Sequence, residues 1–223
     1  VKDDEPRAIL ISALDGVPTE NSFVSLPKQR RVWRTAGEAL RAFHELDCGA
    51  FFGRCRRDGS CSGSPVEDAE EFVGTTLENQ LKESERTGLL STQEMSTFSR
   101  AIRRTSVFAH ERPVPCHRDY HPVNWPTDPD GTWVGVIDFE FSRWDVRTSD
   151  FARYPDWEWE LRPQLVHALL EGYGRPLSTA EQEQILVLRA GYAVTAILEG
   201  HQTGMFGWER EGRSAMQHLR ELL

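Results

Sequence analysis

The sequence has few cysteines and no long apolar run. Its four cysteines, Cys48, Cys55, Cys61 and Cys116, form no C-x-x-C pair, and no histidine pair follows at zinc-finger spacing. No apolar stretch approaches the roughly 18 residues that a membrane span needs. The first ten residues, VKDDEPRAIL, lack the basic start and apolar segment of a signal peptide. We therefore expect a cytoplasmic protein with unpaired thiols, because disulfides are rare in that compartment.

Basic residues are also scarce. The sequence has 26 Lys and Arg against 35 Asp and Glu, which gives a formal net charge of −9. Binding nucleic acid through its phosphates requires clustered Lys and Arg, so nucleic acid is not an expected partner. The charge is compatible with a cationic partner, although many cytosolic proteins are equally acidic. The oligomeric state stays open.

Periodic apolar residues predict a mostly helical body. Spacings of three and four predict a helix over 26–46, and similar patterns predict helices near 66–87, 92–109, 147–155, 158–172, 179–203 and 209–222. Ser91 with Glu94 is typical of a capping box, and either Ser178 or Thr179 can cap the helix that follows it. The stretch 49–65, rich in Gly, Ser and Arg, is typical of an exposed loop.

Short β-prone segments interrupt this helical pattern. Residues 7–14 predict a strand, and the sequences VPCH and TWVGVID predict two more, at 114–117 and 132–138, on either side of a polar loop. The sequence DPDG at 128–131 predicts a tight turn. The fold class is therefore α+β, a helical body with a small β insert that carries the polar residues.

The polar loop and the segment after it contain oxygen ligands at informative spacings. Asn124 lies five residues after Asp119, and Asp138 follows the hydrophobic run 134–137. A carboxamide and a carboxylate that converge make an all-oxygen site, which suits Mg²⁺. A second carboxylate, Asp119, can then accept a proton from a hydroxyl, as phosphoryl transfer requires. Each residue alone would be an ordinary turn residue, but the combination favours a phosphotransferase site.

Four stretches resemble the aminoglycoside phosphotransferase family. His117 to Asn124, HRDYHPVN, resembles its phosphotransferase motif, and Val136 to Glu140, VIDFE, resembles its metal-binding strand end. The stretch from Trp144 to Ala152 is similar to a further family segment, and 37–44, GEALRAFH, resembles a helix that ends in a Leu-His pair. The resemblance implies a kinase-like two-lobed fold, with ATP or GTP as phosphoryl donor and a small hydroxylated acceptor.

The resemblance also implies residue roles. Asp119 corresponds to the catalytic base, and Asn124 and Asp138 correspond to the residues that hold Mg²⁺. His117, His121 and Asp150 correspond to residues that brace the loop. Glu140 lies either beside the metal or at the acceptor, and Arg118 replaces the commoner Gly. The backbone of Ser12, Ala13 and Leu14 is expected to meet the adenine.

The usual nucleotide-covering elements do not occur in this sequence. There is no Gly-rich phosphate loop, and neither Lys2 nor Lys28 has the setting of a phosphate-pairing lysine. By the resemblance, residues 1–20 are the last strand of the small lobe and the hinge, while 21–223 form the larger, C-terminal lobe. We expect the chain alone to bind nucleotide weakly, because positioning accounts for most of phosphoryl-transfer catalysis.

The acceptor is expected to carry an amine, as aminoglycosides do. Acidic residues beside indoles can hold amines through ion pairs and cation–π contacts, although an acidic stretch is equally typical of a helix start. Such residues follow the polar loop at Asp156, Glu158 and Glu160, next to Trp157 and Trp159, and Glu199 with His201 is a second, weaker candidate pair. The alternatives are a choline- or ethanolamine-type kinase and a non-catalytic module that retains only the larger lobe.

Overall fold

A computed structural model describes residues 14–19, 25–46, 48–56, 58–152 and 162–223. Helices dominate these residues. Their bounds are α1 Leu26–His44, α2 Ala69–Thr87, α3 Thr92–Ile102, α4 Ser149–Ala152, α5 Pro163–Tyr173, α6 Thr179–Thr203 and α7 Phe206–Leu222. Short strands are β1 Val17–Pro18, β2 Val114–Cys116, β3 Pro126–Thr127 and β4 Arg143–Asp145. None of the described helices is both long and apolar enough to cross a membrane.

Local sequence signals set the helix ends. Ser91 and Glu94 form the predicted capping box at the start of α3, and Ser178 with Glu181 forms a second one at α6. In each box the serine side chain accepts a backbone N–H that the helix leaves unpaired. α2 and α6 end at Gly88 and Gly204, both in the left-handed conformation that glycine adopts without steric cost.

Four helices, α2, α3, α6 and α7, pack into what we call the helical body. Its apolar cluster includes Phe98, Phe108, Val194, Ile197 and Leu219, each fully buried. α6 and α7 are joined by a tight turn and pack along their length. Burial of this many large side chains is the main source of stability for such a helical assembly.

The second apolar cluster joins α1 and α5 to residues 114–152, and we call these parts the loop region. The cluster includes Trp33, Leu40, Trp125 and Leu169. α1 and α5 approach so closely that a Cβ on Gly37 would lie 1.9 Å from the carbonyl oxygen of Leu169. Only a glycine fits at this crossing.

The β structure is smaller than predicted. β1 pairs antiparallel with β3, and β2 pairs antiparallel with β4. The predicted strand at 132–138 is wrong as a regular strand, because only Trp133 forms a bridge there, to Thr127. Its backbone instead bonds to the polar loop, since Ile137 N–H donates to the Asn124 carbonyl at 3.1 Å. The turn at 128–131 is confirmed by the bond from Gly131 N–H to the Asp128 carbonyl, 2.9 Å.

Most predicted helices are confirmed, and one predicted helix and one predicted loop differ in the structure. The predicted helix 92–109 ends at Ile102 and continues as a separate 3₁₀ turn, Thr105–Phe108. The stretch 49–65 is not a simple exposed loop, because Phe52 is buried and bridges link Phe52 to Val66 and Cys55 to Cys61. The predicted strand over 7–14 lies outside the described residues except for Leu14, and 153–161 lies outside them altogether.

Candidate active site

The polar loop runs from β2 to β3 and is anchored by His117. The His117 side chain is fully buried, and its Nε2 donates to the Ile137 carbonyl at 2.9 Å. Its Nδ1 then accepts the backbone N–H of Asp119 at 3.2 Å. The ring therefore joins the polar loop to the segment that leads into Asp138.

Asp119 is held by two side chains of the same loop. It is 6% exposed, and one carboxylate oxygen lies 3.0 Å from His121 Nε2 while the other accepts from Asn124 Nδ2 at 3.0 Å. These contacts fix the orientation of the carboxylate. A carboxylate whose orientation is fixed in this way is suited to accept a proton from a bound hydroxyl.

Asn124 presents an oxygen rather than an amide nitrogen to the outside of the loop. Its Nδ2 also donates to the Asp119 carbonyl, 2.9 Å away, and a carbonyl can only accept. This bond settles which end of the amide is nitrogen, and the Oδ1 oxygen is left to bind something else.

Asp138 lies next to Asn124 in space. The residue before it, Ile137, is hydrogen-bonded to the Asn124 backbone, and Asp138 itself is exposed with a left-handed φ of 67°. Aspartate is among the few non-glycine residues that tolerate this conformation. The free oxygens of Asn124 and Asp138 make an all-oxygen donor pair, which fits Mg²⁺.

Asp150 braces the loop from the start of α4. Its carboxylate accepts the backbone N–H groups of His117, at 3.0 Å, and Arg118, and also His44 Nε2 at 2.9 Å. His44 Nδ1 in turn accepts the hydroxyl of Tyr173 at 2.9 Å. The structure thus ties α1, α5 and α4 to the polar loop through one carboxylate.

His44, Asp150 and the thiol of Cys116 also form a buried group whose ligand atoms lie within 4.8 Å of one another. A metal there would compete with the hydrogen bonds to Asp150. Burial raises the pKa of the Cys116 thiol well above its usual value, and the nearby Asp150 adds to this effect. Because His44 and the backbone N–H groups of the polar loop already occupy the Asp150 carboxylate, we interpret this group as structural.

Arg118 carries a side chain where the resemblance leads one to expect glycine. Its φ is 68°, and its Nε lies 3.1 Å from Asp145, which also accepts from Arg143 Nε at 2.7 Å. Although burial opposes ionisation, the two guanidinium groups hold the pKa of Asp145 below its usual range. The two arginines and Asp145 form a compact charged cluster beside Asp119.

A cavity of about 390 Å³ opens next to this cluster. Its walls come from α2, α6 and α7, from the segment 141–152 and from the hairpin near Arg54. Its charged and aromatic lining residues include Arg54, Phe72, Arg118, Phe141, Arg143, Asp145, Tyr192, Glu199 and Trp208, and Leu188, Gly191 and Thr195 line it along α6. Arg118, the residue before Asp119, is one of the lining residues, so the cavity reaches the polar loop.

The other predicted site residues fall into three groups. Leu14 is exposed and lies against Gly135, since a Cβ added to Gly135 would be 2.9 Å from Leu14 Cδ1. Ser12 and Ala13 lie outside the described residues. Glu140 is exposed. Glu199 lines the cavity, but His201 contacts Glu209 instead, at 3.3 Å. Asp156, Glu158 and Glu160 lie outside the described residues.

Sequence reasoning missed two features of the site. The stretch that ends at His44 was noted for its resemblance, but nothing in the sequence connected it to Asp150, 106 residues away. The arginine cluster was also missed, although the unusual residue at 118 was a signal. A charged side chain in place of glycine indicates that the side chain has a partner nearby.

Solved structures of antibiotic phosphotransferases share this fold. A macrolide 2'-phosphotransferase type I matches with a TM-score of 0.60 at 16% identity, over 93% of this chain and 67% of its own. The aminoglycoside phosphotransferase APH(4)-Ia, in ternary complex with AMP-PNP and hygromycin B, matches with a TM-score of 0.69 at 13% identity, over 94% of this chain and 70% of its own. APH(2")-IIa in complex with gentamicin matches with a TM-score of 0.59 at 14% identity, over 93% of this chain and 68% of its own.

The sequence itself places the chain in a family. The model of the phosphotransferase enzyme family matches residues 2–185, which is most of the 223 residues. The chain therefore belongs to the phosphotransferase enzyme family. No curated protein sequence matches it.

Proposed function

We propose that this protein transfers the terminal phosphoryl group of a nucleoside triphosphate to a hydroxyl group of a small molecule. One observation carries the proposal most directly. Asp119 is oriented by His121 and Asn124, and the same amide that orients it leaves its oxygen free beside Asp138. A base and an all-oxygen metal pair are thus built into a single loop and the segment bonded to it.

In this proposal each residue has a distinct part. Asp119 accepts the proton of the attacking hydroxyl, with its oxygens held in place by His121 and Asn124. Asn124 and Asp138 hold Mg²⁺, which neutralises phosphate charge during transfer. His117 and Asp150 keep the loop in register through the bonds described above.

The solved relatives support this reading of the site. APH(4)-Ia is recorded with AMP-PNP or ADP together with hygromycin B, and APH(2")-IIa with ATP and streptomycin. A nucleotide donor and a small hydroxylated acceptor are accordingly what we propose for this chain. ATP and GTP both remain candidates, because a GDP complex of another relative is also recorded.

We further propose that 21–223 form the larger lobe of a two-lobed enzyme and that 1–20 contain the last small-lobe strand and the hinge, where Leu14 would approach the adenine. The chain spans 67–70% of the length of the relatives named above. The intact mass of the native protein tests this division. A mass well above 25.5 kDa is expected, whereas a mass equal to that of this chain would require a partner to supply the small lobe.

The site itself is tested by titrating the native protein with an ATP analogue in the presence and absence of Mg²⁺. We expect binding to require Mg²⁺ and to weaken at least tenfold in Asp138→Asn, because the substitution removes the charge of a metal ligand. Asparagine tolerates the left-handed φ at this position, so the variant should fold. The control is Asp130→Asn, which changes an exposed acid in the neighbouring turn.

The second half of the test concerns Asp119. Asp119→Asn is expected to bind Mg²⁺ and nucleotide as wild type does, while phosphoryl transfer to hydroxyl compounds falls by about 10²–10⁴-fold, the usual contribution of a general base. A protein indifferent to both Mg²⁺ and nucleotide would contradict the proposal and would favour a non-catalytic binding module.

A further inference from the structure

We infer that the acceptor is a hydroxyl compound with a flat apolar part and an anionic or neutral polar group, rather than a polycation. The inference rests on the proposed function, because it takes the cavity lined by Arg118, the residue before Asp119, as the acceptor site. It differs from the cationic acceptor that the acidic stretch at 156–160 suggests, and it depends on the described walls of the cavity alone.

The cavity is long and has a helix as one wall. Leu188, Gly191, Thr195 and Glu199 all line it and recur every three or four residues along α6. At about 1.5 Å per residue, the wall from Leu188 to Glu199 is roughly 16 Å long. The cavity therefore has two ends, one near the polar loop and one at the C-terminal part of α6.

The end near the polar loop is cationic. Arg118 and Arg143 line the cavity there, and Arg143 lies over the ring of Phe72 with its guanidinium carbon 4.9 Å from the ring centre. Arg54 joins them from the hairpin, which is attached by the bond from Gly53 N–H to the Trp144 carbonyl at 2.8 Å. Among the described residues, Arg54 has no acidic partner.

The carboxylate at this end, Asp145, is already bound by protein groups. One oxygen of Asp145 accepts from Arg143 and contacts Arg118, and the other accepts the Val146 N–H at 2.8 Å. Its side chain is only 2% exposed. A substrate amine would have to displace a guanidinium to reach it. By contrast, within the described residues the Nη nitrogens of Arg118 and Arg143 donate no hydrogen bond and can bind an anion.

The far end offers a single carboxylate and a set of aromatic rings. Glu199 lines this end together with Tyr192 and Trp208, and Trp208 Nε1 donates to the Tyr192 hydroxyl at 3.1 Å, which fixes the two rings relative to each other. Phe72, which lies against the Arg143 guanidinium at the other end, and Phe141 add aromatic surface elsewhere in the cavity. Flat apolar groups bind well between such rings.

The charges of the described walls therefore disfavour a molecule with several amines. Three guanidiniums face the cavity against one unpaired carboxylate, Glu199, and like charges brought together in a confined site cost binding free energy. A carboxylate or a comparable anion on the acceptor would instead form a charge-assisted hydrogen bond with the arginines, while its apolar part lies among the rings.

Three probes with the same ring and hydroxyl but different charge test this inference. They are 4-(hydroxymethyl)benzoate, 4-(hydroxymethyl)benzamide and 4-(hydroxymethyl)benzylamine, with kanamycin as a polycation. Dissociation constants are measured by ligand-observed NMR on the native protein with Mg²⁺ and an ATP analogue. We expect the benzoate to bind at least tenfold more tightly than the benzylamine, as one charge-assisted bond implies.

The role of Arg54 is tested with the same probes. Arg54→Gln should weaken benzoate binding about tenfold and leave the benzamide within about twofold, because only the anion loses a charged partner. Arg54→Glu should remove the preference for benzoate over benzylamine. Arg103→Gln, at an exposed arginine at the C-terminal end of α3 that does not line the cavity, is the matched control.

The inference is overturned by tighter binding of the benzylamine or kanamycin, by equal effects of both Arg54 variants on all probes, or by no binding of any probe. Its failure is separable from failure of the proposed function. Mg²⁺-dependent nucleotide binding with a cation preference would refute the acceptor class alone, whereas an anion preference without nucleotide binding would refute the phosphotransferase proposal.

A different observation concerns two thiols in the hairpin that carries Arg54. Ser62 N–H donates to the Arg54 carbonyl at 2.9 Å, and Arg56 N–H donates to the Ser60 carbonyl at 2.7 Å. These bonds flank Cys55 and Cys61, which form an antiparallel bridge and are therefore a non-hydrogen-bonded pair. The Cα atoms of such pairs lie about 4.5 Å apart, within the range of disulfides.

We propose that Cys55 and Cys61 are a site of reversible disulfide formation. Cys55 is exposed and Cys61 half-buried, so both can be reached from solution. With glutathione disulfide as oxidant, one cysteine thiolate attacks it and releases one glutathione thiol. The second cysteine thiolate then attacks the mixed disulfide and releases the other. The product would clamp the hairpin that positions Arg54.

Mass spectrometry of the native protein after equilibration with glutathione disulfide, followed by alkylation under denaturing conditions that expose Cys116, tests this site. We expect the loss of two hydrogens, a linked pair of peptides containing Cys55 and Cys61, and alkylated Cys48 and Cys116. Cys55→Ser should instead leave Cys61 as a thiol or a glutathione adduct. Free or singly glutathionylated Cys55 and Cys61 in the wild type under excess oxidant would overturn the proposal.

Discussion

Side chains buried in the helical body are mainly apolar, with Glu181 and Gln184 of α6 as its charged and amide exceptions, whereas the loop region buries a larger set of charged and amide groups. Phe98, Ile197 and Leu219 are typical of the body. The loop region buries His44, His117, Asp119, Asn124, Asp145 and Asp150. Buried polar groups cost free energy unless each has a partner. In the loop region the partners of Asp119 come from the polar loop itself, whereas Asp150 finds His44 at the end of α1. We therefore expect the helical body to contribute mainly to stability and the loop region to hold the candidate site residues in place.

The largest expected effect is on the free energy of unfolding, and it compares Asp150 of the loop region with Phe98 of the helical body. Asp150→Ala should destabilise the protein by about 3–5 kcal/mol, because it leaves His44 and two backbone N–H groups buried without their acceptor. Phe98→Ala in the helical body should cost a similar amount, about 3–5 kcal/mol, through the cavity it creates. Urea unfolding measures both free energies.

The two variants should differ in nucleotide binding at a temperature where both remain folded. Asp150→Ala should weaken Mg²⁺-dependent binding, since the loop that carries Asn124 loses its brace, and Phe98→Ala should leave it unchanged. Equal losses of binding in both would mean that the loop region has no separate role. Asp130→Ala is the control for loss of a loop carboxylate.

A smaller effect is expected where the loop region is held together by close helix contact. Gly37→Ala should destabilise by about 1–3 kcal/mol, because the new Cβ would collide with the Leu169 carbonyl and push α1 from α5. Gly74→Ala, inside α2, should instead stabilise by up to about 1 kcal/mol, since a Cβ there would meet only Thr105 Oγ1 at 3.9 Å. Thermal or urea unfolding distinguishes the two; a stabilised Gly37→Ala would contradict the packing described.

The smallest effect concerns the pH dependence of stability in the helical body. Burial opposes ionisation of Glu181, but bonds from Arg175 and the Ser178 backbone lower its pKa from 4.5 to about 2. A depressed folded-state pKa gives stability that is fully present above about pH 4.5 and is lost as the pH falls towards 2. Glu181→Gln should therefore cost roughly 1–2 kcal/mol at pH 7 and less at pH 3.

Urea unfolding at both pH values measures this difference. Glu85→Gln, an exposed glutamate on α2, is the control and should show little effect at either pH. A deficit in Glu181→Gln that stays the same at pH 3 would indicate that the capping geometry matters and the charge does not.

The sequence predicted the helical body better than the loop region, for a physical reason. Helix ends depend on nearby residues, such as Ser91 with Glu94, and these pairs can be read directly from the sequence. The loop around Asp138 was expected to be a strand end, because its residues are β-prone. The bond from Ile137 to Asn124 and the left-handed φ of Asp138 override that preference.

The candidate site was predicted in part for the same reason. Asp119, Asn124 and Asp138 were identified by spacing. The structure places Asn124 in contact with Asp119 and bonds the residue before Asp138 to Asn124, and the roles of the three remain predictions. The link between His44 and Asp150 and the cluster around Asp145 depend on tertiary contacts, which no local pattern encodes. The charge of the cavity walls could likewise not be foreseen, since its arginines come from a hairpin, a loop and a short strand.

The contacts that close the loop region also bear on how the protein folds. Thr19 bonds to the Trp125 carbonyl and His44 to Asp150, each across 106 residues. Closing such long loops costs chain entropy before any contact repays it, so local helices form first. On refolding, recovery of helical circular dichroism should therefore precede recovery of nucleotide binding, and the lag between them would time the assembly of the polar loop.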